Sequence, residues 1–569
     1  MIKHAAIFLS AVLLAAGTAS AQPAPAAPPI LIDQCGDADH CWNPQERAGF
    51  YSRNQGSRIM PLSWFKALRQ PDGQPFLADK LGRYGYLAND ASPNGLPVGF
   101  TVDQNPKMGE TAIGMTCAAC HTREIQVQGQ RYRIDGGPAL VDFQRFLQDI
   151  DASVGSILTD DSAFAPFAHQ VLGGDDNAAA AAKLRQAVAD WRQGYHALIS
   201  RSLLPATNWG YGRLDAVSMI FNRLIGLDLR QVDDIKEANA PTRYPFLWNA
   251  AIQDHTQWPG FAVNGLNILG LARNTGEVFG VFGVFQPQKF LDWPNYLKVN
   301  SVDFKGLDIL ETSIRKLGTP KWPDQWGYSA PLAQTGKQVF QRKCASCHGV
   351  ADGVIPGTWK TPIQAVGTDT REFNNLTTES ASGILAGTTQ PPFIGHTLGT
   401  RDKSIAILTN AVLGSILQDL ASRNSATQVA LLQDRRDLSR STDRATLVAA
   451  GVDALKDFNG NVPTSAAYES RVLKGVWAAA PYLHNGSVAS LAELLTPADQ
   501  RLKSFAVGPA YDTQAMGLAK EQPAGTIFTA GECDSGNGNC GHSGPDFGTD
   551  LSTDDKRALL EYMKSPMDP

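Results

Sequence analysis

The sequence predicts a mainly α fold in two domains, with long loops and few short strands. Three observations predict it. The pentapeptide pattern C-x-x-C-H occurs twice, at Cys117 to His121 and at Cys344 to His348. A breaker-rich stretch, Gly318-Thr319-Pro320-Lys321-Trp322-Pro323, lies between the two copies. Helix-forming stretches stand on both sides of it, from Ala178 to Trp191 and from Leu551 to Met563. A chain of 569 residues is long enough for two to four domains at roughly 150 residues each.

Read from its start, the chain opens on a targeting segment. Lys3 supplies a positive n-region, Ala5 to Ala16 an apolar h-region, and Ala19-Ser20-Ala21 a small-residue cleavage site. We read residues 1–21 as a signal peptide and 22–30 as a Pro/Ala-rich leader. The mature protein is then exported, to a bacterial periplasm or beyond. No later apolar run reaches the ~20 residues of a membrane span. With 50 basic and 55 acidic residues and a net charge of −5, the composition excludes a nucleic-acid-binding class. The 43% apolar content excludes wholesale disorder.

The two pentapeptides carry the chemistry. Cys117-Ala-Ala-Cys120-His121 and Cys344-Ala-Ser-Cys347-His348 are both c-type haem attachment signatures. Two thiols a turn apart add to the two vinyl groups of haem, and the adjacent His sits under the iron as proximal ligand. A redox C-x-x-C or a four-cysteine zinc site needs no following His, and needs none twice. The expected cofactors are therefore two covalently bound haem c groups. The other four cysteines have no such His. Cys35 and Cys41, and Cys533 and Cys540, form two close pairs, and in an oxidising compartment each reads as a local disulfide.

The domains follow from the motifs. Residues 31–319 form an N-terminal haem domain, 320–332 a linker and 333–569 a C-terminal one. The spacing G-x-x-x-F-x-x-x-C-x-x-C-H from Gly336 to His348 resembles the first helix of cytochrome c. Ser552 reads as the cap of a final helix, whose Leu559, Leu560 and Tyr562 face that first helix. Residues 417–457 read as an exposed helical insertion.

The second axial position decides what each iron does: two protein ligands make an electron-transfer haem, and an open position binds O2 or peroxide. For the second haem the candidate is His542, after a Gly/Asn-rich loop, with His484 and Met516 as alternatives. Further candidates are His40, His169, His196, His255, His396, Met108, Met115 and Met219. No His occurs in the 47 residues after His121, which favours an open iron there.

Two C-x-x-C-H motifs, the A-P-Y-L-H-N-G-S block at 480–487 and a large N-terminal haem domain resemble the bacterial dihaem peroxidase superfamily. That superfamily embraces dihaem cytochrome c peroxidases, MauG-type enzymes and haem rubber oxygenases. The chain is most similar to the rubber-oxygenase-like branch, in Leu96 to Phe100, Ile134 to Pro138, Val476 to Val488 and Gly541 to Thr549. The resemblance implies that His121 is the sole protein ligand of the oxidant-binding haem. It implies that His348 with His542 holds an electron-relay haem. Gln257-Trp258-Pro259-Gly260 is similar to the stretch that carries an inter-haem Trp, which points to Trp258, with Trp248 as second choice. Arg273-Asn274-Thr275-Gly276-Glu277 is similar to the stretch with the distal carboxylate, which points to Glu277 as catalytic acid/base. A Ca2+ between the domains belongs to the same resemblance, although no oxygen-rich loop marks one.

The implied activity is reduction of hydrogen peroxide at the N-terminal haem, with electrons from a small redox protein or a quinol-linked donor. One alternative is an O2-dependent dioxygenase that cleaves an apolar alkene such as a polyisoprenoid; its mark would be an apolar pocket with Glu277 turned away. Another is a pure electron carrier. Size argues against that, since cytochrome c holds a haem with about 100 residues. The chain departs from the peroxidases in lacking a distal His soon after the first motif and in offering His542 where they have Met.

Overall fold

The computed structural model describes residues 27–36, 41–290, 293–353, 355, 357–389, 396–422, 425–439 and 465–567. The segment read as a signal peptide at 1–21, most of the segment read as a leader, and His40 lie outside the described residues. The protein is mainly helical, and its strands run two to six residues. No helix among the described residues is long and apolar enough to cross a membrane.

The helices form where polar caps meet periodic apolar residues. Phe143–Thr159 is capped by Asp142, whose carboxylate accepts from Arg145 N at 3.0 Å. It buries Phe146, Leu147, Ile150, Val154 and Ile157 along one face, the i, i+3, i+4 spacing of an amphipathic helix. The Ala-rich stretch extends to Ala178–Ser202, capped by Asn177. The two helices pack in one core with Trp209, Phe100 and Tyr195.

Two close approaches position the pentapeptides. Strand Ala112–Met115 leads into a turn at Cys117–Ala119, and strand Thr122–Val127 leaves directly after His121. That strand pairs with Gln130–Asp135 through a two-residue hairpin turn, Gln128-Gly129, with φ of 50° and 82°. Gly99 sits beneath the turn: a Cβ there would lie 2.0 Å from Ala119 N. In the second half, helix Ala330–Lys343 feeds the turn Ala345–His348. It crosses the final helix, Thr553–Met563, at Gly336, where a Cβ would meet Ala558 O at 1.9 Å. Ser552 caps that final helix; Leu559 and Tyr562 are buried, and Tyr562 meets Phe340 at 5.4 Å between centroids.

One core draws on both halves of the chain, including Trp42, Trp248, Val339 and Trp477. Trp322, Trp326 and Trp477 meet in edge-to-face contacts with centroids 5.1–5.6 Å apart. Trp477 also donates Nε1–H to Pro320 O at 3.2 Å. Each such ring removes roughly 150–250 Å2 from water, on the order of 4–6 kcal/mol before ordering costs. The segment read as a linker is therefore anchored at its start.

The described part of the stretch read as an exposed helical insertion is helical and leaves Val429 and Leu432 exposed, but it also docks through Asp434. Helix Ala426–Ser439 places the Asp434 carboxylate over the N-terminus of helix Asn267–Gly280. It accepts from Asn267 N at 2.8 Å and Ile268 N at 3.0 Å. The helix carrying Glu277 has no capping side chain of its own, so a distant carboxylate supplies the cap and complements the helix dipole.

Candidate functional site

Each pentapeptide folds as a tight turn that gathers its three reactive side chains. In the first, Cys120 N and His121 N both donate to Cys117 O, at 3.2 and 2.9 Å. In the second, Cys347 N and His348 N donate to Cys344 O, at 3.1 and 2.8 Å. All four cysteines stand outside disulfides. Burial pushes the Cys117 and Cys120 thiols up to about 12 and Cys344 up to about 11. The remaining four pair as the sequence indicates, Cys35 with Cys41 and Cys533 with Cys540, which is consistent with an exported protein.

Both motif histidines are wired alike. His121 Nδ1 lies 2.9 Å from Pro245 O, and His348 Nδ1 lies 2.8 Å from Arg471 O. A carbonyl accepts only, so Nδ1 carries the proton and Nε2 keeps a free lone pair, as metal-ligating imidazoles require. Burial lowers His121 to about 4, with the Arg471 and Arg273 charges adding to the effect, and burial also lowers His348. Both rings are neutral at physiological pH.

What faces each ring differs. His542 stands opposite His348, with ring centroids 6.2 Å apart. Two metal–imidazole bonds of about 2.0–2.1 Å with a half-ring on each side span roughly 6.3 Å, so this pair has the spacing of two axial ligands. Burial, with the neighbouring His348, lowers His542 to about 3, and its Nδ1 has no hydrogen-bond partner. Arg501 grips the loop by donating to the carbonyls of Asn539, Gly541 and His542 at 2.6, 2.7 and 2.9 Å. The alternatives lie elsewhere. His484 is buried against Tyr468, centroids 4.2 Å apart, beside Thr368. Met516 is buried in the core with Trp477, and its carbonyl accepts from Tyr482.

His121 opens onto a cavity of about 160 Å3. Cys117, Cys120, Glu277, Gln257 and Trp258 line it, with Phe143, Met115, Met219 and Ile220 as apolar wall. Glu372, Glu469 and Arg471 close it from the far half of the chain. His121 is the one histidine on its wall among the described residues. His169 and His196 are instead paired with Asp176 and Asp151 at 3.0 and 2.8 Å, and His396 with Asp402 at 2.5 Å.

Glu277 keeps 42% of its side chain open, and that open face is on the cavity. Enclosure within the protein still raises its pKa from the ordinary carboxylate value, against the pull of Arg273 and Gln257. Its Oε1 accepts from Gln257 Nε2 at 2.9 Å and lies 4.0 Å from Arg273 Nε. Arg273 is fixed by Glu311 and Asn264, each at 2.5 Å. Trp258 donates Nε1–H to Arg243 O at 2.9 Å, and the Arg243 guanidinium sits 4.7 Å from the ring centre. Trp248 stacks on Phe246 at 4.7 Å, away from the cavity wall. Among the described residues no group of three or more His, Cys, Asp or Glu is arranged for a free metal ion.

The comparisons with known proteins bear on the second motif first. Residues 333–409 match the cytochrome c family, and 467–506 match the family described as RoxA-like, cytochrome c-like. The chain is a c-type haem redox protein. Its cytochrome c-like domains imply covalently bound haem c. It is 29% identical over 586 residues, 94% of each chain, to the uncharacterized protein y4iJ of Sinorhizobium fredii. It is also 35% identical over 110 residues, 18% of this chain and 24% of the relative, to the uncharacterized protein y4iM of the same organism.

Several residues of the site have no signature in the sequence. Pro245, Arg471 and Gln253 act through backbone carbonyls or tertiary hydrogen bonds, and Glu372 and Glu469 arrive from far along the chain. Tyr-Pro-Phe at 244–246 and Glu-Ser-Arg at 469–471 offer no local periodicity that would single them out.

Proposed function

We propose that the protein is a periplasmic dihaem oxidoreductase that reduces hydrogen peroxide at a haem c held by Cys117, Cys120 and His121. Cys344, Cys347, His348 and His542 would hold a second haem c, which would supply electrons to the first. The observation that carries this reading is the Glu277 carboxyl opening into the His121 cavity. The bound haem supplies a redox iron that takes the oxidant; the chain supplies proton handling.

Cleaving an O–O bond needs a group that takes a proton from the near oxygen and returns it to the far one. Glu277 suits that work. Gln257 occupies Oε1 and leaves Oε2 to hold the moving proton. A raised pKa brings the carboxyl nearer neutrality, where acceptance and donation are both easy. Arg273 at 4.0 Å from Oε1 steadies the ionised form. Trp258 is the aromatic group we place on the electron path. The cation of Arg243 over its ring disfavours loss of an electron from the indole, so Trp258 conducts without storing an oxidising equivalent.

A second reading, O2-dependent cleavage of an apolar alkene, is favoured by the RoxA-like match at 467–506 and by the apolar wall of Met115, Phe143, Met219 and Ile220. Peroxide consumption by the electron-loaded protein separates the two. Glu277→Gln should lower the peroxide rate by about 10²–10⁴-fold, the usual worth of a positioned acid/base. An unchanged rate would remove Glu277 from the chemistry. O2 uptake that depends on an added alkene would favour the second reading.

A further inference from the structure

The two motif histidines are joined by a continuous buried connection. His121 Nδ1 donates to Pro245 O at 2.9 Å. The next residue, Phe246, offers its carbonyl to Arg471 Nη1 at 2.8 Å. Arg471 in turn offers its own carbonyl to His348 Nδ1 at 2.8 Å. Only three hydrogen bonds separate one imidazole from the other, and everything between them is peptide or the Arg471 side chain.

The middle of this connection is unusually well fixed. The Arg471 guanidinium lies 4.2 Å from the centre of the Phe246 ring. Gln253 Oε1 accepts from its Nε at 3.0 Å and its Nη2 at 2.6 Å. Glu469 Oε1 lies 3.3 Å from Nε. Gln253, Phe246, Glu469 and Arg471 are all buried. A guanidinium engaged on every edge and one face has a single orientation, so the carbonyls at both ends are held in register.

We propose that Arg471 is a positioning residue shared by both haem sites, orienting His348 through its own carbonyl and His121 through its grip on the Phe246 carbonyl. This rests on the two-haem reading above. The partner of Nδ1 tunes how strongly an imidazole donates to its metal. One side chain therefore sets the donor strength of both proximal ligands, and its buried positive charge acts on both irons. A cation near a haem disfavours the ferric state, so its removal lowers the reduction potential.

The test is Arg471→Gln in the haem-loaded full chain, read by EPR of the ferric protein and by a spectroelectrochemical titration. His348 keeps its backbone carbonyl partner in any substitution at 471. A role limited to its charge on the wall of the His121 cavity would shift the potentials and leave the EPR signals unchanged. The expected result is that both EPR signals change and both potentials fall, with Arg471→Lys restoring the potentials more than the EPR signals, since it keeps the charge without the planar fork. A His121 haem unmoved in both measurements would overturn the proposal. Should Arg471→Gln fail to fold, Phe246→Leu, which removes the ring under the guanidinium, carries the same test: a change at both haems supports it, and none overturns it. Haem content of the wild-type protein is measured alongside. Fewer than two haems per chain would overturn the two-haem reading itself, a failure visible before any variant is made.

Discussion

The two pentapeptide sites share one proximal design and differ on the other side. Each motif histidine gives its Nδ1 proton to a backbone carbonyl, at 2.9 Å in the first and 2.8 Å in the second. Beyond Nε2, His348 meets His542, whereas His121 meets a cavity with Glu277 on its wall. Attachment is thus written in five consecutive residues, but accessibility is written elsewhere. His542 stands 194 positions after His348, and Glu277 rides on a helix capped by Asp434. The difference teaches that the same local unit can serve two roles, with tertiary structure choosing between them.

The largest effect that would break this comparison is loss of attachment. Replacing Cys117 and Cys120 together by Ser should remove the covalent haem of the first site and leave that of the second, halving the haem content measured by pyridine haemochrome. The reciprocal Cys344, Cys347 pair should do the reverse. Equal loss from both pairs would mean that the sites mature as one unit. A smaller effect is expected from His542→Ala. It should convert the second site to a five-coordinate state and turn one low-spin EPR signal into a high-spin one, making the two sites alike. A spectrum that keeps its low-spin signal would mean that another side chain takes the position.

The smallest effect concerns His484, the alternative ligand. His484→Gln should leave both haem spectra unchanged while flattening the acid side of the thermal-stability profile. Burial lowers His484 to about 3 in the folded state, against about 6.5 when unfolded. Between those values the unfolded chain binds the extra proton, so stability is full above about 6.5 and falls as pH drops toward about 3. Melting temperatures of wild type and variant across that window check the sign. A variant melting profile parallel to wild type would show that His484 is not the group responsible.

Sequence reading went furthest where the chemistry is local. The pentapeptides, the Ser552 cap and the two close cysteine pairs each need only neighbouring residues, and each is found in the structure. His542 is legible as a candidate from its Gly/Asn-rich loop and Glu277 only through the family resemblance; the fold sets His542 opposite His348 and Glu277 on the His121 cavity. Pro245 and Arg471 were not legible, because a backbone carbonyl leaves no mark on residue type. In the described part of residues 417–457 the exposed helix is found, but its docking through Asp434 is not legible, for a related reason. Their composition suits a solvated helix, but one carboxylate, Asp434, is used to cap a helix more than 150 positions earlier in the chain.

The grip of Arg501 on the His542 loop has a consequence for competition between ligands. Three carbonyls, ending at His542 itself, are bound by one guanidinium, and the Cys533–Cys540 bridge closes the same loop two residues earlier. A side chain tethered so closely is present at its target at an effective concentration of millimolar or more. Under the two-haem reading, a diffusing molecule would have to outnumber a partner that never leaves. The second site would then be selective without any filter of size or polarity, through local concentration alone.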